Sequence, residues 1–233
     1  MDTGLSGRLE AVRNRIATAA EAVGRDPEGI TLISVSKTHP AEVVDAAVAA
    51  GADNLGENRV QEAQAKKPGV REARWHLIGP LQRNKARVAL EIFDVIHTVD
   101  RPELADRLQF LLEKDWPGRS VDVLLEINVG DEPQKAGVAQ AEAGELLESV
   151  VGCRQLKVCG LMAIPPFGAA AEASRPYFRA LRELRDRLQD ETGRPLPELS
   201  MGMSHDFEIA VAEGATMVRV GTAIFGARGP KVG

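Results

Sequence analysis

A chain of 233 residues with 44% hydrophobic and 27% charged residues has the make-up of a soluble globular protein large enough for one sizeable core. A net charge of -5, a pI near 5.5 and an aromatic content of 4% exclude the basic, base-stacking surface expected of a nucleic-acid binder. No window approaches the ~18 apolar residues of a membrane span and no apolar signal segment opens the chain. Cys153 and Cys159 form neither a CxxC pair nor a zinc pattern with paired histidines, so free thiols in a cytoplasmic protein are expected.

In chain order, an amphipathic helix is predicted from about Leu5 to Val23, with Leu9, Val12, Ile16 and Ala19 at helical spacing. Eight short apolar runs follow: Ile30 to Ser36, Asn54 to Glu57, Trp75 to Ile78, Val95 to Val99, Val121 to Asn128, Val158 to Ile164, Leu199 to Met201 and Thr216 to Val220. Between them lie helical segments at Ala41 to Ala50, Arg59 to Lys66, Arg83 to Phe93, Pro102 to Lys114, Val138 to Val151, Ala170 to Thr192 and Ser204 to Glu213. Strands alternating with helices make right-handed parallel βαβ units. The expected fold is one (β/α)8 TIM barrel over 30–228, with the extra N-terminal helix in 1–26 plugging or flanking it, and a single domain over 1–233. No GxGxxG turn follows the first strand, which weakens the doubly wound alternative.

Working residues of such a barrel stand at the C-terminal ends of its strands. Lys37 closes the first apolar run, where a strongly hydrated amine needs an ion pair, open solvent, or a chemical purpose as a Schiff-base nucleophile. Ser200-Met201-Gly202-Met203-Ser204 and Gly221-Thr222-Ala223 sit in the two loops that commonly hold phosphate in barrels. Ordinary capping is the competing account, with Ser204 capping a helix that begins at His205. Arg219 alternates with Val218 and Val220, which points its guanidinium into the barrel mouth, toward a ligand or a carboxylate such as Glu126. His39, Lys85, Arg83 and His205 carry no assigned role, and Asp206 reads as a first-turn helix residue.

The phrases Val35-Ser36-Lys37-Thr38, Gly56-Glu57-Asn58-Arg59-Val60-Gln61-Glu62, Trp75-His76-Leu77-Ile78-Gly79-Pro80-Leu81-Gln82-Arg83-Asn84-Lys85, Gly160-Leu161-Met162, Leu199-Ser200-Met201-Gly202-Met203-Ser204 and Val218-Arg219-Val220-Gly221-Thr222-Ala223-Ile224-Phe225-Gly226 resemble those of the pyridoxal phosphate homeostasis proteins, relatives of the N-terminal barrel of alanine racemase. The resemblance runs in order from about residue 30 to residue 228. It implies pyridoxal 5'-phosphate held as a Schiff base on Lys37, with Ser200, Gly202, Ser204, Gly221 and Thr222 around the phosphate. It further implies Arg219 facing the pyridine nitrogen, and Asn58 and His76 along the ring's other edge.

Two functions fit that cofactor: a carrier that buffers or delivers it, with apo-enzymes as partners, or an amino-acid racemase. Racemisation needs a base on each face, and beyond Lys37 the chain offers no obvious second one, Tyr177 lying in a helical stretch. In alanine racemase, as the resemblance implies, the second base comes from a domain that follows the barrel. The expectation is a monomeric carrier without a metal.

Overall fold

The computed structural model describes residues 4–132, 134–166 and 170–226. Helix α1 (Leu5–Glu21) buries Leu9, Val12, Ile16 and Ala20, the i, i+3, i+4 stripe of an amphipathic helix. Then β1 (Thr31–Val35), α2 (Ala41–Ala49), β2 (Asn54–Glu57), α3 (Val60–Lys66), β3 (Arg74–Leu77), α4 (Ala86–Ile92), β4 (Val95–Val99), α5 (Pro102–Asp115) and β5 (Val121–Asn128) alternate without interruption. The second half continues through β6 (Val138–Ala139), α6 (Ala143–Val151), β7 (Leu156–Met162), α7 (Arg175–Thr192), β8 (Glu198–Met203), α8 (Phe207–Ala212), β9 (Met217–Val220) and α9 (Thr222–Phe225).

Eight of these strands close a parallel barrel in the order β1-β2-β3-β4-β5-β7-β8-β9, with β9 returning to pair with β1. The ninth, β6, extends only the end of β5, at Ile127 and Asn128. The helix expected over 138–151 therefore starts five residues later. Gly137, at φ 103°, explains the change: a Cβ there would sit 2.7 Å from the Asn128 nitrogen, so glycine lets the chain run against β5 before it turns helical. The N-terminal helix flanks the barrel. Its Arg8 Nε donates to the Ile224 carbonyl at 2.6 Å and its Arg15 pairs with Glu208, which fastens α1 to α9 and α8.

Parallel neighbours in register present side chains to the same face. Ile33 stands beside Arg219, Gly56 beside His76 and Met162 beside Ser200, so one alternate set from every strand points inward. The main core lies between the barrel wall and the helices. Inside the barrel the apolar cluster shrinks to Val95, Leu124 and Met162. Bulky branched residues ordinarily fill that space; here much of it is polar, and the polar residues lead to the site.

Candidate functional site

A cavity of about 440 Å³ opens where the strands end, walled by Val35, Ile78, Ile164 and Met203 and by the polar groups of Lys37, Asn58, Ser204, His205, Arg219, Gly221 and Thr222. Of the residues singled out in the sequence, Lys37, Asn58, Ser204, Arg219, Gly221 and Thr222 share this cavity; Ser200, Gly202 and His76 lie outside its lining. A second cavity, of about 490 Å³, runs against α1 between Arg13 and Asn54 and shares no residue with the first.

Arg219 is 3% exposed. Its Nη1 donates to Ser200 Oγ at 2.6 Å and its Nη2 to the Ala163 carbonyl at 2.9 Å. Burial lowers its pKa to about 10, with Glu126 and Asp206 pulling the other way, so the guanidinium stays charged at neutral pH. The direct ion pair with Glu126 that the sequence left open is absent among the described residues. Glu126 acts at longer range, and burial, helped by the Asp100 charge, pushes its own pKa up to about 7 against the pull of Arg219.

Ser200 extends this contact into a chain. His97 Nδ1 lies 2.9 Å from Ser200 Oγ, His76 Nδ1 lies 2.9 Å from His97 Nε2, and Asn54 Oδ1 lies 3.0 Å from His76 Nε2. Asn54 Oδ1 can only accept, so neutral His76 donates from Nε2 and accepts at Nδ1 from His97 Nε2, and His97 Nδ1 accepts from the Ser200 hydroxyl, which itself accepts from Arg219. Both histidines are then neutral with hydrogen on Nε2, and every bond runs from Arg219 toward Asn54. Burial, then the Arg74 charge, lowers the His76 pKa to about 3; burial, then His76, holds His97 well below its ordinary value. His76 is thus a fully buried link behind Arg219.

The two loops expected to hold an anion are joined by a hydrogen bond: Gly221 N–H donates to Ser204 Oγ at 3.1 Å. Ser204 does not cap a helix, because α8 begins only at Phe207. Asp206 precedes that helix and is fully buried, accepting from the Met203 N–H at 2.7 Å and from the Ser174 hydroxyl at 2.8 Å. Thr222 opens α9, whose first N–H groups have no intrahelical partner. His39 stacks on Phe225 of α9 with ring centroids 4.9 Å apart. Gly202 has a backbone purpose. At φ 89° it lies where the β8–β9 register shifts, and a Cβ would meet that of Ala210 at 2.5 Å.

Asn58 faces the cavity from the end of β2, and its Oδ1 is buried without a hydrogen-bond partner. Gly79 allows this, since a Cβ there would lie 2.4 Å from the Asn58 carbonyl oxygen. Sequence reasoning missed the His97 link and a buried cluster of Glu57, Glu62 and Lys66 behind the Lys37 turn. Glu57 and Glu62 stand in one of the quoted phrases, and the i, i+4 spacing of Glu62 and Lys66 was a legible signal.

The family pattern of the alanine racemase N-terminal domain matches residues 8–229. A pyridoxal phosphate homeostasis protein of Aquifex aeolicus is 46% identical over 224 residues, covering 95% of this chain and 97% of that protein. The protein of the same name in Escherichia coli K12 is 42% identical over 233 residues, covering 96% and 97%. PipY of Synechococcus elongatus, solved with PLP bound, superposes with a TM-score of 0.83 at 40% identity, over 95% of this chain and 100% of that one. An alanine racemase of Clostridium difficile shares the fold, with a TM-score of 0.72 at 17% identity over 97% of this chain and 57% of the racemase.

Proposed function

The chain belongs to the alanine racemase N-terminal domain family, beside the pyridoxal phosphate homeostasis proteins, and from that premise we propose that it binds pyridoxal 5'-phosphate at Lys37 and buffers or delivers it without turning over a substrate. The observation that carries this reading is the convergence of Lys37, Arg219, Asn58 and the joined Ser204–Gly221–Thr222 loops on one cavity. The unpartnered Asn58 Oδ1 is the test of fit: a buried acceptor of this kind is costly unless a bound group donates to it or water reaches it.

When bound, the cofactor would supply an aldehyde, a group able to form a C=N bond with a primary amine and release water. Lys37 Nζ is the attachment atom. The Ser204 and Thr222 hydroxyls and the Thr222 N–H bind the anionic end, while the Gly221 N–H holds Ser204 in place. Arg219 keeps a fixed positive charge in the cavity, and a cation beside a ring nitrogen opposes protonation of that nitrogen. An unprotonated ring is a poor electron sink, which favours storage over racemisation. The recipients in this reading are apo forms of enzymes that use the same cofactor, and the protein acts as a monomer.

Purified protein mixed with pyridoxal 5'-phosphate should gain an absorbance band in the near-ultraviolet to violet that borohydride abolishes, with the reduced group mapped to Lys37 by peptide mass. Lys37→Ala should lose both, and a covalent adduct that persists there sinks the assignment. Exchange of α-protons in deuterium oxide, across L- and D-amino acids, should stay far below ordinary enzymatic rates of about 1 per second. Turnover at that rate would replace storage with racemisation.

A further inference from the structure

The turn that presents Lys37 is held in a backbone conformation poorly suited to its sequence. Strand β1 ends at Val35, and the chain reverses through Ser36-Lys37-Thr38-His39, closed by His39 N–H to the Ser36 carbonyl at 3.1 Å. Thr38, the third residue of that turn, sits at φ 70°. This position ordinarily takes glycine or asparagine, and a β-branched residue is strained there. Such strain persists only where the surroundings impose it.

The surroundings come from the next βα unit. Thr38 N–H donates to Glu62 Oε1. Lys66 directs its ammonium to the Ser36 carbonyl at 2.8 Å, to Glu57 Oε1 at 2.7 Å and to Glu62 Oε1 at 2.6 Å, which uses all of its donors. The Ser36 hydroxyl donates to the same Glu57 oxygen at 2.7 Å. The residues on both sides of Lys37 are therefore tied to one charged cluster, Ser36 by its hydroxyl and carbonyl and Thr38 by its N–H. The Lys66 side chain is 8% exposed and that of Glu57 0%. Buried ion clusters contribute little net stability compared with apolar packing, so their use lies in the geometry they specify.

We infer that Glu62 and Lys66 are positioning residues that hold the Ser36–His39 turn against its own preference and so aim Lys37 into the cavity. The inference rests on Lys37 being the point of cofactor attachment. Burial would raise the Glu62 pKa, but the hydrogen bonds from Lys66 and Thr38 outweigh it and keep the carboxylate ionised.

Glu62 is the place to test this, because its side chain is 24% exposed and its loss leaves no sealed void. Pyridoxal 5'-phosphate is titrated by absorbance into wild type, Glu62→Ala, Glu62→Gln and the double variant Thr38→Gly/Glu62→Ala. The borohydride-trapped residue, the unfolding midpoint and amide exchange at residue 38 are measured in parallel. Glu62→Ala should bind about tenfold more weakly, as strain of this kind is released, and exchange faster at Thr38. Glu62→Gln keeps an acceptor oxygen and should stay within about threefold of wild type. Thr38→Gly in the Glu62→Ala chain should recover most of the loss, because glycine adopts a positive φ without a brace.

Wild-type affinity in Glu62→Ala overturns the inference. So does a double variant as weak as Glu62→Ala, since the loss would then have come through the general fold. If wild type itself traps nothing on Lys37, the cofactor reading fails and the positioning role falls with it, a result distinct from both others.

Discussion

Ser200 Oγ stands 2.6 Å from Arg219 Nη1 and 2.9 Å from His97 Nδ1, so its hydroxyl is committed on both sides inside the barrel. A serine in that state holds a cation and has nothing left for an anion. Ser200→Ala leaves a buried guanidinium N–H and a buried ring nitrogen unsatisfied, which costs about 2 to 4 kcal/mol of stability. Urea unfolding should show that loss, and any weakening of cofactor binding should follow from displacement of Arg219.

Ser204 and Thr222 should behave in the opposite way. Both line the cavity, and both are partly exposed, so their hydroxyls contribute little to the core. Ser204→Ala and Thr222→Ala should each weaken retention of pyridoxal 5'-phosphate by about 1 to 3 kcal/mol, the scale of a hydrogen bond to a charged group. The unfolding midpoint of the cofactor-free protein should barely move in Thr222→Ala and fall only slightly in Ser204→Ala, which loses the bond from the Gly221 N–H. Equilibrium dialysis against unaltered affinity as the alternative decides whether these hydroxyls serve the anion.

The directed chain from Arg219 to Asn54 makes a spectroscopic prediction. Both His76 and His97 should be neutral, with hydrogen on Nε2, and neither should titrate between pH 5 and 7. Nitrogen-15 chemical shifts of the two rings report tautomer and charge directly. Hydrogen on Nδ1 of either ring would break the chain's polarity.

Glu126 gives the fold a pH dependence of unusual sign. Its pKa of about 7 lies above the ordinary value of 4.5, so between those limits the folded protein keeps a proton that the unfolded chain has released. Stability falls as pH rises across that window and levels off above it, by about 3 kcal/mol for a shift of this size. His76 and His97 oppose this below pH 6.5, where the unfolded chain gains protons that they refuse. Glu126→Gln isolates the carboxyl: its stability relative to wild type should rise between pH 5 and pH 8, measured by urea unfolding at both. A difference that stays flat with pH would place Glu126 in an ordinary environment.

Most of the barrel was legible because its signal is local: runs such as Val95 to Val99 and Val121 to Asn128 are rich in valine, isoleucine and leucine, as strands buried on both faces tend to be. Position on the rim followed from strand ends for Lys37, Ser204, Gly221 and Thr222 and from alternation for Arg219, while Asn58 entered through the family resemblance; all six line the cavity. Depth within the barrel could not be read that way. Ser200 and Ser204 look alike in one loop phrase, but β8 extends to Met203, which leaves one inside the barrel and the other at its mouth. Gly202 looked like a phosphate glycine, while its positive φ and closeness to Ala210 are tertiary facts. Contacts such as His97 with Ser200 join residues far apart in the chain and have no local signature.

The pairing of β1 with β9, reinforced by Arg8 reaching the Ile224 carbonyl, bears on when this site can exist during synthesis. Lys37 leaves the ribosome well before Arg219, Gly221 and Thr222, which lie on the far side of the whole alternation of strands and helices. Until β9 slots beside β1, Lys37 and the residues that line the cavity opposite it belong to separate parts of an open sheet. The cavity therefore depends on the last closure of the barrel, because its two sides are joined only through the pairing of β1 with β9.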